Sequence, residues 1–341
     1  MDELVKRSIR EVDAKKKATV PWKLDEPWKQ SYHVFSVDRN NWVAIDPTTQ
    51  STTHTSPDAS ITRLALYSWN IDFMLPFPNS RMRTAIRHLE EAHVAMLDAQ
   101  TASVIYLQEC VASDLQLLAS DPWVRSTFAL TDLDITNWQS GHYGTVTLVD
   151  RRLAIADCFR VHYSQSAMER DAFFVDIRLG KNQDIVRLCN SHLESLALEP
   201  AYRPPQMQLI AKYMRDTSVH GALAAGDFNA IQDFDRHLHS DNGLKDAYLE
   251  LGGREEDAEA GHTWGQQAAT VLRERFGTTR MDKVYFCGGV RCLGFERFGA
   301  GEEIPDESER RQIVELGFDR PWVTDHLGVK AVFEVAPRAN L

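Results

Sequence analysis

Apolar runs that are typical of buried strands end repeatedly in side chains able to bind cations, accept protons or hold phosphate. Leu64–Trp69 is followed by Asn70, and Val104–Leu107 is followed by Gln108 and Glu109. A strand that is buried on both faces has a nearly continuous apolar sequence, and the residues after it emerge at an edge of its sheet. The chain is therefore expected to fold so that several strand ends lie together.

Short β-branched or aliphatic runs alternate with segments of helical spacing from about residue 61 to 336. The predicted strands are Leu64–Trp69, Val104–Leu107, Tyr143–Val149, Leu153–Tyr163, Phe173–Ile177, Ile185–Leu188, Ala222–Ala225, Met281–Cys287, Val290–Phe298 and Leu327–Phe333. The predicted helices are Arg81–Leu97, 112–119 and Pro205–Arg215, and the predicted exposed, mobile loops are Glu255–Glu259 and Glu302–Arg311. Each sheet must bury one face, so helices outside two paired sheets are the simplest arrangement. We predict an α/β fold built as a two-sheet α/β sandwich.

The first 60 residues have a different composition, with isolated prolines and aromatic residues and then the Ser/Thr-rich tract Thr48–Ser56. Such a sequence is typical of an extended arm followed by a flexible linker. We predict that tryptophans such as Trp22 hold the arm on a neighbouring surface. The chain is accordingly divided into an extension and linker over 1–60, one domain over 61–336 and a tail over 337–341.

Composition and charge limit the ligands and the cellular compartment to be expected for this chain. Its net charge of −11 argues against wide, salt-dependent coating of nucleic acid, although it leaves a nucleic-acid end open as a substrate. The run Lys15–Lys17 fits either a rudimentary nuclear-import patch or a solvated helix face. The five cysteines are odd in number and lack paired metal-site spacing, which favours reduced thiols. No run reaches membrane-spanning length, so we expect an intracellular protein of the nucleus, the cytoplasm or both.

The sequence Gly226-Asp227-Phe228-Asn229 follows the predicted strand Ala222–Ala225. On a tight turn, Asp227 and Asn229 can face one cavity while Phe228 packs away from it. The carboxylate can then accept a proton from an attacking water, and the amide can hold that water or a phosphate oxygen. The same sequence is also compatible with an ordinary Asx turn.

Thr324, Asp325 and His326 precede the last predicted strand. A histidine beside a carboxylate can stay charged and contact an anionic phosphate in its transition state. Asp282 is a candidate partner that would fix the ring of His326. It could equally pair with Lys283 or cap a strand.

Glu109 and His192 supply two further candidate groups. A carboxylate at a strand end can hold Mg²⁺, which prefers one or two protein carboxylates together with water and substrate oxygens. Asn70 would orient Glu109 or the phosphate, or would cap the next turn. His192 would be a second imidazole facing phosphate, or a histidine satisfied within the core. Taken together, the candidate groups indicate hydrolysis of a phosphodiester, which needs a cation, a base and charge stabilisation in one place.

The order and spacing of these elements over about 61–336 resemble the endonuclease/exonuclease/phosphatase superfamily, which comprises DNase I-like, metal-dependent phosphodiesterases. The resemblance implies the two-sheet sandwich and a Mg²⁺ cofactor, with Mn²⁺ able to substitute. It also implies metal binding by Glu109, Asn70 and Asp325, water activation by Asp227 with Asn229 and Asn70, and charge stabilisation by His192 and His326, with Asp282 orienting His326.

Within the superfamily, the chain most resembles the type 2 tyrosyl-DNA phosphodiesterases. The block Ser191–Ser195 resembles a segment whose serine and histidine contact phosphate, and Tyr143 opens a strand resembling the one that lines the DNA groove. Trp264 matches a position where an aromatic ring stacks near the terminal base, and such stacking suits single-stranded ends. The resemblance therefore implies that Ser195, Trp264 and Tyr143 contact the substrate.

Two departures from that group bear on substrate choice. Pro204 and Pro205 stand where an arginine is usual, with Arg203 only approximately placed, and the first 60 residues lack the composition of the ubiquitin-binding module often found there. The favoured function is Mg²⁺-dependent hydrolysis of 5′-phosphotyrosyl bonds at DNA ends, in the repair of trapped topoisomerase adducts, by a monomer. The alternatives are another nuclease or phosphatase of the superfamily, such as a deadenylase-like exonuclease, and an inactive fold used for binding.

Overall fold

Two β-sheets packed face to face form the centre of the molecule, with helices on their outer faces. The computed structural model describes residue 10, residues 14–47 and residues 60–336. The strands are β1 Pro27–Lys29, β2 Tyr32–Ser36, β3 Asn41–Ile45, β4 Arg63–Asn70, β5 Thr101–Val111, β6 Phe128–Leu130, β7 Tyr143–Asp150, β8 Ala154–His162, β9 Asp171–Leu179, β10 Asp184–His192, β11 Gly221–Asp227, β12 Lys245–Asp246, β13 Asp282–Gly288, β14 Val290–Phe298 and β15 Gly328–Val335. The α-helices are Pro78–His88, Ala112–Ser120, Pro122–Thr127, Arg203–Met214, Leu238–Asp241, Ala247–Glu250, Thr270–Phe276 and Glu307–Glu315.

The strand order confirms the predicted two-sheet α/β sandwich. One sheet has the order β1-β8-β9-β10-β11-β13-β12 and the other β14-β15-β4-β5-β7-β6-β2-β3. In β4, Leu64 and Leu66 pack in the same buried cluster as Phe173 of the facing sheet, whereas Tyr67 and Trp69 pack in the cluster on the helical side. Successive side chains of a strand point to opposite faces, so a strand covered on both faces needs apolar residues at nearly every position. This burial explains the continuous apolar runs in the sequence.

Two pairs of parallel neighbours determine where the strand ends lie. β4 runs parallel to β5, with Asn70 opposite Gln108, and β10 runs parallel to β11, with His192 opposite Asp227. β13 runs antiparallel to β11 and begins at Asp282, which lies opposite Asp227. Each sheet therefore presents adjacent polar residues at the carboxyl ends of its parallel strands.

The helix predicted over Arg81–Leu97 is shorter in the structure. The α-helix Pro78–His88 is followed by the π-helical turn Leu89–His93 and the 3₁₀ turn Val94–Met96. Apolar spacing continues across these turns, so the sequence pattern does not mark the change of helix type.

The two acidic segments predicted to be exposed, mobile loops are exposed at half or more of their positions, but one contains a helix and the other an anchored glutamate. Glu307–Glu315 is a helix whose first turn is capped by the carboxylate of Asp306. Its sequence is strongly polar, and Ile313 is its buried residue. In the other segment, Glu255 is anchored, since the buried Lys283 Nζ donates to its carboxylate at 2.8 Å.

N-terminal residues add strands to both sheets. β1 pairs with β8, and the β2–β3 hairpin pairs with β6 at the edge of the other sheet. Trp22 is buried and stacks on His162 with ring centroids 4.0 Å apart, so it holds the arm as expected. The predicted linker Thr48–Ser56 and the tail 337–341 lie outside the described residues. The division of the chain at residue 60 stays a prediction.

All five cysteines are free thiols, and Cys110, Cys158 and Cys189 are buried in the sheets. Burial raises the pKa of these three thiols. Among the described helices, none has both the length and the apolar character needed to cross a bilayer.

Candidate active site

His192 and Asp227 end the parallel neighbours β10 and β11 and lie side by side. His192 Nε2 is 3.3 Å from Asp227 Oδ2, and both side chains are almost fully buried. Gly226 permits this approach, because its φ is 154° and a Cβ atom there would collide with the backbone carbonyl of Ser191. The glycine before the candidate base is therefore required by packing.

Two N–H groups hold the carboxylate of Asp227. Asn70 Nδ2 donates to Oδ2 at 3.0 Å, and the backbone N–H of Asn229 donates to Oδ1 at 2.8 Å. Burial raises the pKa of Asp227, but the charges of His192 and His326 outweigh burial, so the pKa lies below its ordinary value. Asp227 is therefore an ionised carboxylate that can accept a proton.

The side chain of Asn229 joins the loops that follow β10 and β11. Its φ is 47°, and its Nδ2 donates to the backbone carbonyl of Leu193 at 3.0 Å. This contact fixes the turn that carries Asp227. The predicted contact of Asn229 with water or phosphate stays a prediction.

His326 lies between two carboxylates. Its Nδ1 is 2.8 Å from Asp282 Oδ2, and its Nε2 is 3.7 Å from Asp227 Oδ2. Burial lowers the pKa of His326, but Asp282, Asp325 and Asp227 outweigh burial and hold the pKa well above its ordinary value. The ring is therefore positively charged, and its partner is the carboxylate that the sequence suggested.

Backbone contacts fix the segment that carries His326. Trp69 Nε1 donates to the carbonyl of His326 at 3.0 Å, and Thr324 Oγ1 donates to the carbonyl of Asn70 at 2.8 Å. Both contacts join the end of β4 to the loop before β15. Residues more than 250 positions apart in sequence are thereby held together.

A bulge in β5 directs the side chain of Glu109 towards His192. The β5–β7 register shifts between Leu107 and Cys110, and Glu109 has a φ of 58°. A bulge adds a residue to one strand and changes the direction of its side chains. Glu109 Oε2 accepts the N–H of Phe73 at 2.9 Å, and Oε1 lies 3.8 Å from His192 Nε2.

Three buried carboxylates, Asp72, Glu109 and Asp325, interact electrostatically beside His192 and Asp227. Burial raises the pKa of Asp72, and the charges of Asp325 and Glu109 raise it further. Burial also raises the pKa of Asp325, to which the charge of Glu109 adds. Like charges in this environment need protons or a cation, and oxygen donors are the ligands that Mg²⁺ prefers. The donor chemistry of Glu109, Asp325 and the amide oxygen of Asn70 therefore suits a divalent cation, and their binding of Mg²⁺ stays a prediction.

Asp72 could have been found in the sequence. It follows Asn70 by two residues, which is the spacing between Asp227 and Asn229 in the other candidate turn. Asp72 Oδ1 accepts the N–H of Met74 at 2.9 Å, so one oxygen caps the turn after β4. The carboxylate is nonetheless a fourth candidate ligand for the cation.

A second group of potential ligand atoms lies close together. Single atoms of Asp227, Asp282 and His326 are all within 4.8 Å of one another. Two of these atoms, His326 Nδ1 and Asp282 Oδ2, already form a hydrogen bond with each other. A cation at this place would have to replace that hydrogen bond, and the cation site predicted at Glu109, Asp325 and Asn70 stays a prediction.

Arg170 is a charged residue of the site that sequence analysis missed. Its guanidinium contacts His192 Nδ1, and its Nη2 donates to Ser195 Oγ at 3.2 Å. It also lies over the ring of Tyr143, 4.9 Å from the centroid. No local pattern marks this arginine, because its partners lie at the end of β10 and in the loop after it, 22 and 25 residues further along the chain. A buried guanidinium beside an imidazole favours an anion in the cavity, which suits phosphate.

Tyr143 and Trp264, which were predicted to contact substrate, adjoin different carboxylates, since Tyr143 stacks on the residue that donates to Glu109 and Trp264 donates to Asp325. Tyr143 is buried, with its hydroxyl donating to the carbonyl of Met168 at 2.9 Å and its ring stacked on Phe73 at 4.2 Å. Trp264 is partly exposed, and its Nε1 donates to Asp325 Oδ2 at 2.7 Å. Their contacts with substrate, like that of Ser195, stay predictions.

Arg203 belongs to the framework around the cavity. It is 2% exposed, and Nε and Nη2 donate to the two carboxylate oxygens of Asp235 at 2.8 Å each. Nη1 donates to the carbonyls of Glu194 and Leu196 at 3.1 and 2.7 Å. Arg203 therefore ties the loop after β10 to the 3₁₀ turn Asp233–Arg236.

Known proteins share the sequence pattern and the fold. A sequence model described as the Endonuclease/Exonuclease/phosphatase family matches residues 67–326. Curated protein sequences gave no match.

Solved structures with a similar fold include enzymes named TDP2 and Nocturnin. D. rerio TDP2 complexed with a single-strand DNA product has a TM-score of 0.59 at 16% identity, over 80% of this chain and 99% of that chain. Truncated Caenorhabditis elegans TDP2 has a TM-score of 0.57 at 21% identity, over 80% and 98%. The human Nocturnin catalytic domain with bound sulfate has a TM-score of 0.54 at 14% identity, over 81% and 94%. At these identities the likeness is one of fold.

Proposed function

Because the chain belongs to the endonuclease/exonuclease/phosphatase family, we propose that it is a Mg²⁺-dependent phosphodiesterase that releases tyrosine from DNA 5′ ends. The observation that carries the proposal is the meeting of Asp227, His192 and His326 beside the carboxylates Glu109 and Asp325. A base, a charged imidazole with a second imidazole beside it, and a cation site supply what phosphodiester hydrolysis needs. A surface used only for binding has no need of this combination.

Asp227 is the proposed base. Its carboxylate is ionised and is held by Asn70 and by the backbone of Asn229. A water bound next to Asp227 gives a proton to the carboxylate as its oxygen attacks phosphorus. General-base catalysis of this kind contributes about 10²–10⁴-fold to rate.

His326 and His192 are the proposed stabilisers of negative charge on the phosphate. Asp282 keeps the ring of His326 charged and fixed, and Arg170 adds a positive charge next to His192. A bound Mg²⁺ would neutralise phosphate charge, with Glu109, Asp325 and Asn70 as its ligands and Asp72 beside them. The positive groups of the chain thus flank the place where the phosphate sits.

A tyrosyl leaving group suits a site without a dedicated acid. The phenol of tyrosine has a pKa of about 10, so it leaves as an anion more readily than a sugar alcohol does. The bond between phosphorus and the phenolic oxygen breaks, and the phenolate takes its proton from water. Repair of trapped topoisomerase, in the nucleus, the cytoplasm or both, is the process that we propose for this activity.

One assay tests the substrate. Purified protein is offered a 5′-tyrosyl oligonucleotide, a 3′-tyrosyl oligonucleotide, poly(A) and inositol phosphates, each with Mg²⁺ or with a chelator. We expect release of a 5′ phosphate from the first substrate alone, and only with the metal. Preference for poly(A) would point to a deadenylase-like exonuclease, and no turnover on any substrate would point to a binding protein.

A further inference from the structure

The N-terminal arm, residues 14–22, lies against the loop before β7. Lys17 Nζ donates to the backbone carbonyl of Ile135 at 2.6 Å. Trp22 is 6% exposed, and its Nε1 donates to Gln139 Oε1 at 3.3 Å. These part-buried contacts hold the arm on this loop.

Close backbone approach fixes the arm next to the site as well. Gly141 has a φ of 65°, and a Cβ atom there would collide with the backbone carbonyl of Lys15. Any other residue at Gly141 would push the arm away. Lys15 therefore has a defined position, from which its exposed side chain reaches His142, with Nζ 3.0 Å from Nδ1.

Aromatic side chains connect Lys15 to the proposed cation site. The ring of His142 lies edge-on to Phe73 at 5.5 Å, and Phe73 stacks on Tyr143 at 4.2 Å. The backbone N–H of Phe73 donates to Glu109. A continuous wall thus leads from the carboxylate of Glu109 to the ammonium group of Lys15, and aromatic walls of this kind suit unpaired bases.

Lys16, also on the arm, contacts the loop before β9. It forms an ion pair with Glu169, whose side chain is 2% exposed, whereas the side chain of Lys16 is 50% exposed. Glu169 immediately precedes Arg170, the guanidinium that contacts His192. The ammonium group of Lys16 is therefore paired with the residue that precedes Arg170, and the Lys16 side chain is half exposed to solvent.

We propose that the arm forms one wall of the nucleic-acid site, and that Lys15 and Lys16 bind backbone phosphates of the strand that leaves the active site. This inference rests on the proposed action on nucleic-acid ends. An ammonium group has three N–H donors, and the described contact of each lysine uses one. In a chain with a net charge of −11, two exposed lysines on an arm that is connected to the site by His142, Phe73 and Glu169 supply positive charge that complements phosphate.

Salt dependence of binding tests the proposal. The ligand is a 5′-phosphorylated single-stranded oligonucleotide, and the protein carries Asp227→Asn so that nothing is cleaved. Each phosphate contact contributes about 0.7 to the slope of log affinity against log salt for a single strand. We expect Lys15→Gln/Lys16→Gln to weaken binding and to reduce that slope by about 1.4. Because no turnover is needed, the outcome is independent of the tyrosyl-release assay.

Three comparisons separate direct contact from other effects. Lys181→Gln/Lys245→Gln makes the same change of charge elsewhere, with Lys181 in the turn at the opposite end of β10 from His192, and should leave the slope unchanged. Lys15→Arg/Lys16→Arg should retain wild-type binding. Adding Glu169→Gln to Lys16→Gln should not restore binding. Equal slopes for the two glutamine pairs, failure of the arginine pair, or full restoration by Glu169→Gln would each overturn the proposal.

Discussion

Two buried pairs of a cation and a carboxylate lie at the same end of the sandwich and differ in how completely they are satisfied. In the Arg203–Asp235 pair, the carboxylate accepts two N–H groups of the guanidinium and also the backbone N–H groups of Ile231 and Gln232, at 3.0 and 2.8 Å. In the His326–Asp282 pair, Asp282 Oδ1 is buried and makes no hydrogen bond with any described residue.

A residue next to the His326–Asp282 pair also has an unsatisfied atom. His192 Nε2, next to the His326–Asp282 pair, is buried and makes no hydrogen bond within the described ranges, although it lies 3.3 Å from Asp227 Oδ2. A buried polar atom without a partner costs stability, so proteins retain it where a ligand or reaction uses it. The satisfied pair is therefore consistent with a structural role, and the unsatisfied one with the catalytic role proposed above. Four predictions test this distinction.

Asp227→Asn should have the largest effect on activity. The amide cannot take the proton of water, so turnover should fall by about 10²–10⁴-fold or more. Asparagine keeps the shape of the side chain and can accept the N–H of Asn229, so the variant should unfold cooperatively like the wild type. The measurements are turnover of the 5′-tyrosyl oligonucleotide and urea denaturation. Wild-type turnover in this variant would remove Asp227 from the role of base.

Arg203→Met should have the largest effect on stability. Removal of the guanidinium leaves Asp235 buried without its cation, which costs about 3–5 kcal/mol of unfolding free energy. The control is Arg236→Met, because Arg236 pairs with Glu256 at 2.6 Å on the surface, with side chains 46% and 70% exposed. That exposed pair is worth about 0–1 kcal/mol. Similar losses in the two variants, measured by urea denaturation, would contradict the structural role of Arg203.

Addition of Mg²⁺ should stabilise the folded protein, because the cation relieves repulsion among the buried carboxylates. At a Mg²⁺ concentration of 100 times the dissociation constant, the gain is about 2.7 kcal/mol. Glu109→Gln should lose most of this gain. Glu307→Gln changes an acid whose side chain is 84% exposed and should keep the gain. Thermal denaturation with Mg²⁺ and with chelator gives the comparison, and an undiminished gain in Glu109→Gln would place the cation elsewhere.

Trp264→Ala should have the smallest of the four effects. If the indole stacks on a terminal base, the variant binds single-stranded ends more weakly by roughly 1–3 kcal/mol. The indole N–H also donates to Asp325, so Trp264→Phe is the control that keeps a ring and removes this donor. Binding near wild type in the phenylalanine variant supports stacking. A loss as large as that of alanine would assign Trp264 to the positioning of Asp325.

Several elements of the fold were predictable because their burial leaves a local pattern. β14 has the predicted bounds Val290–Phe298, and the other predicted strands differ from the observed ones by a few residues at their ends. The strands of the N-terminal region were not predicted, since their edge positions are only half-buried and their sequence is mixed. The helix Glu307–Glu315 was missed for the same reason, because it buries little apolar surface.

The residues of the candidate site also differ in whether the sequence could predict them. By itself, the sequence showed which polar residues follow each buried strand. A strand that is covered on both faces is apolar, so the polar residues after it are easily recognised. It also suggested the partnership of His326 with Asp282. Only the tertiary structure decided that Arg170 belongs to the site and that Arg203 does not. Their roles depend on register and on contacts between distant segments, and a sequence pattern does not record those distances.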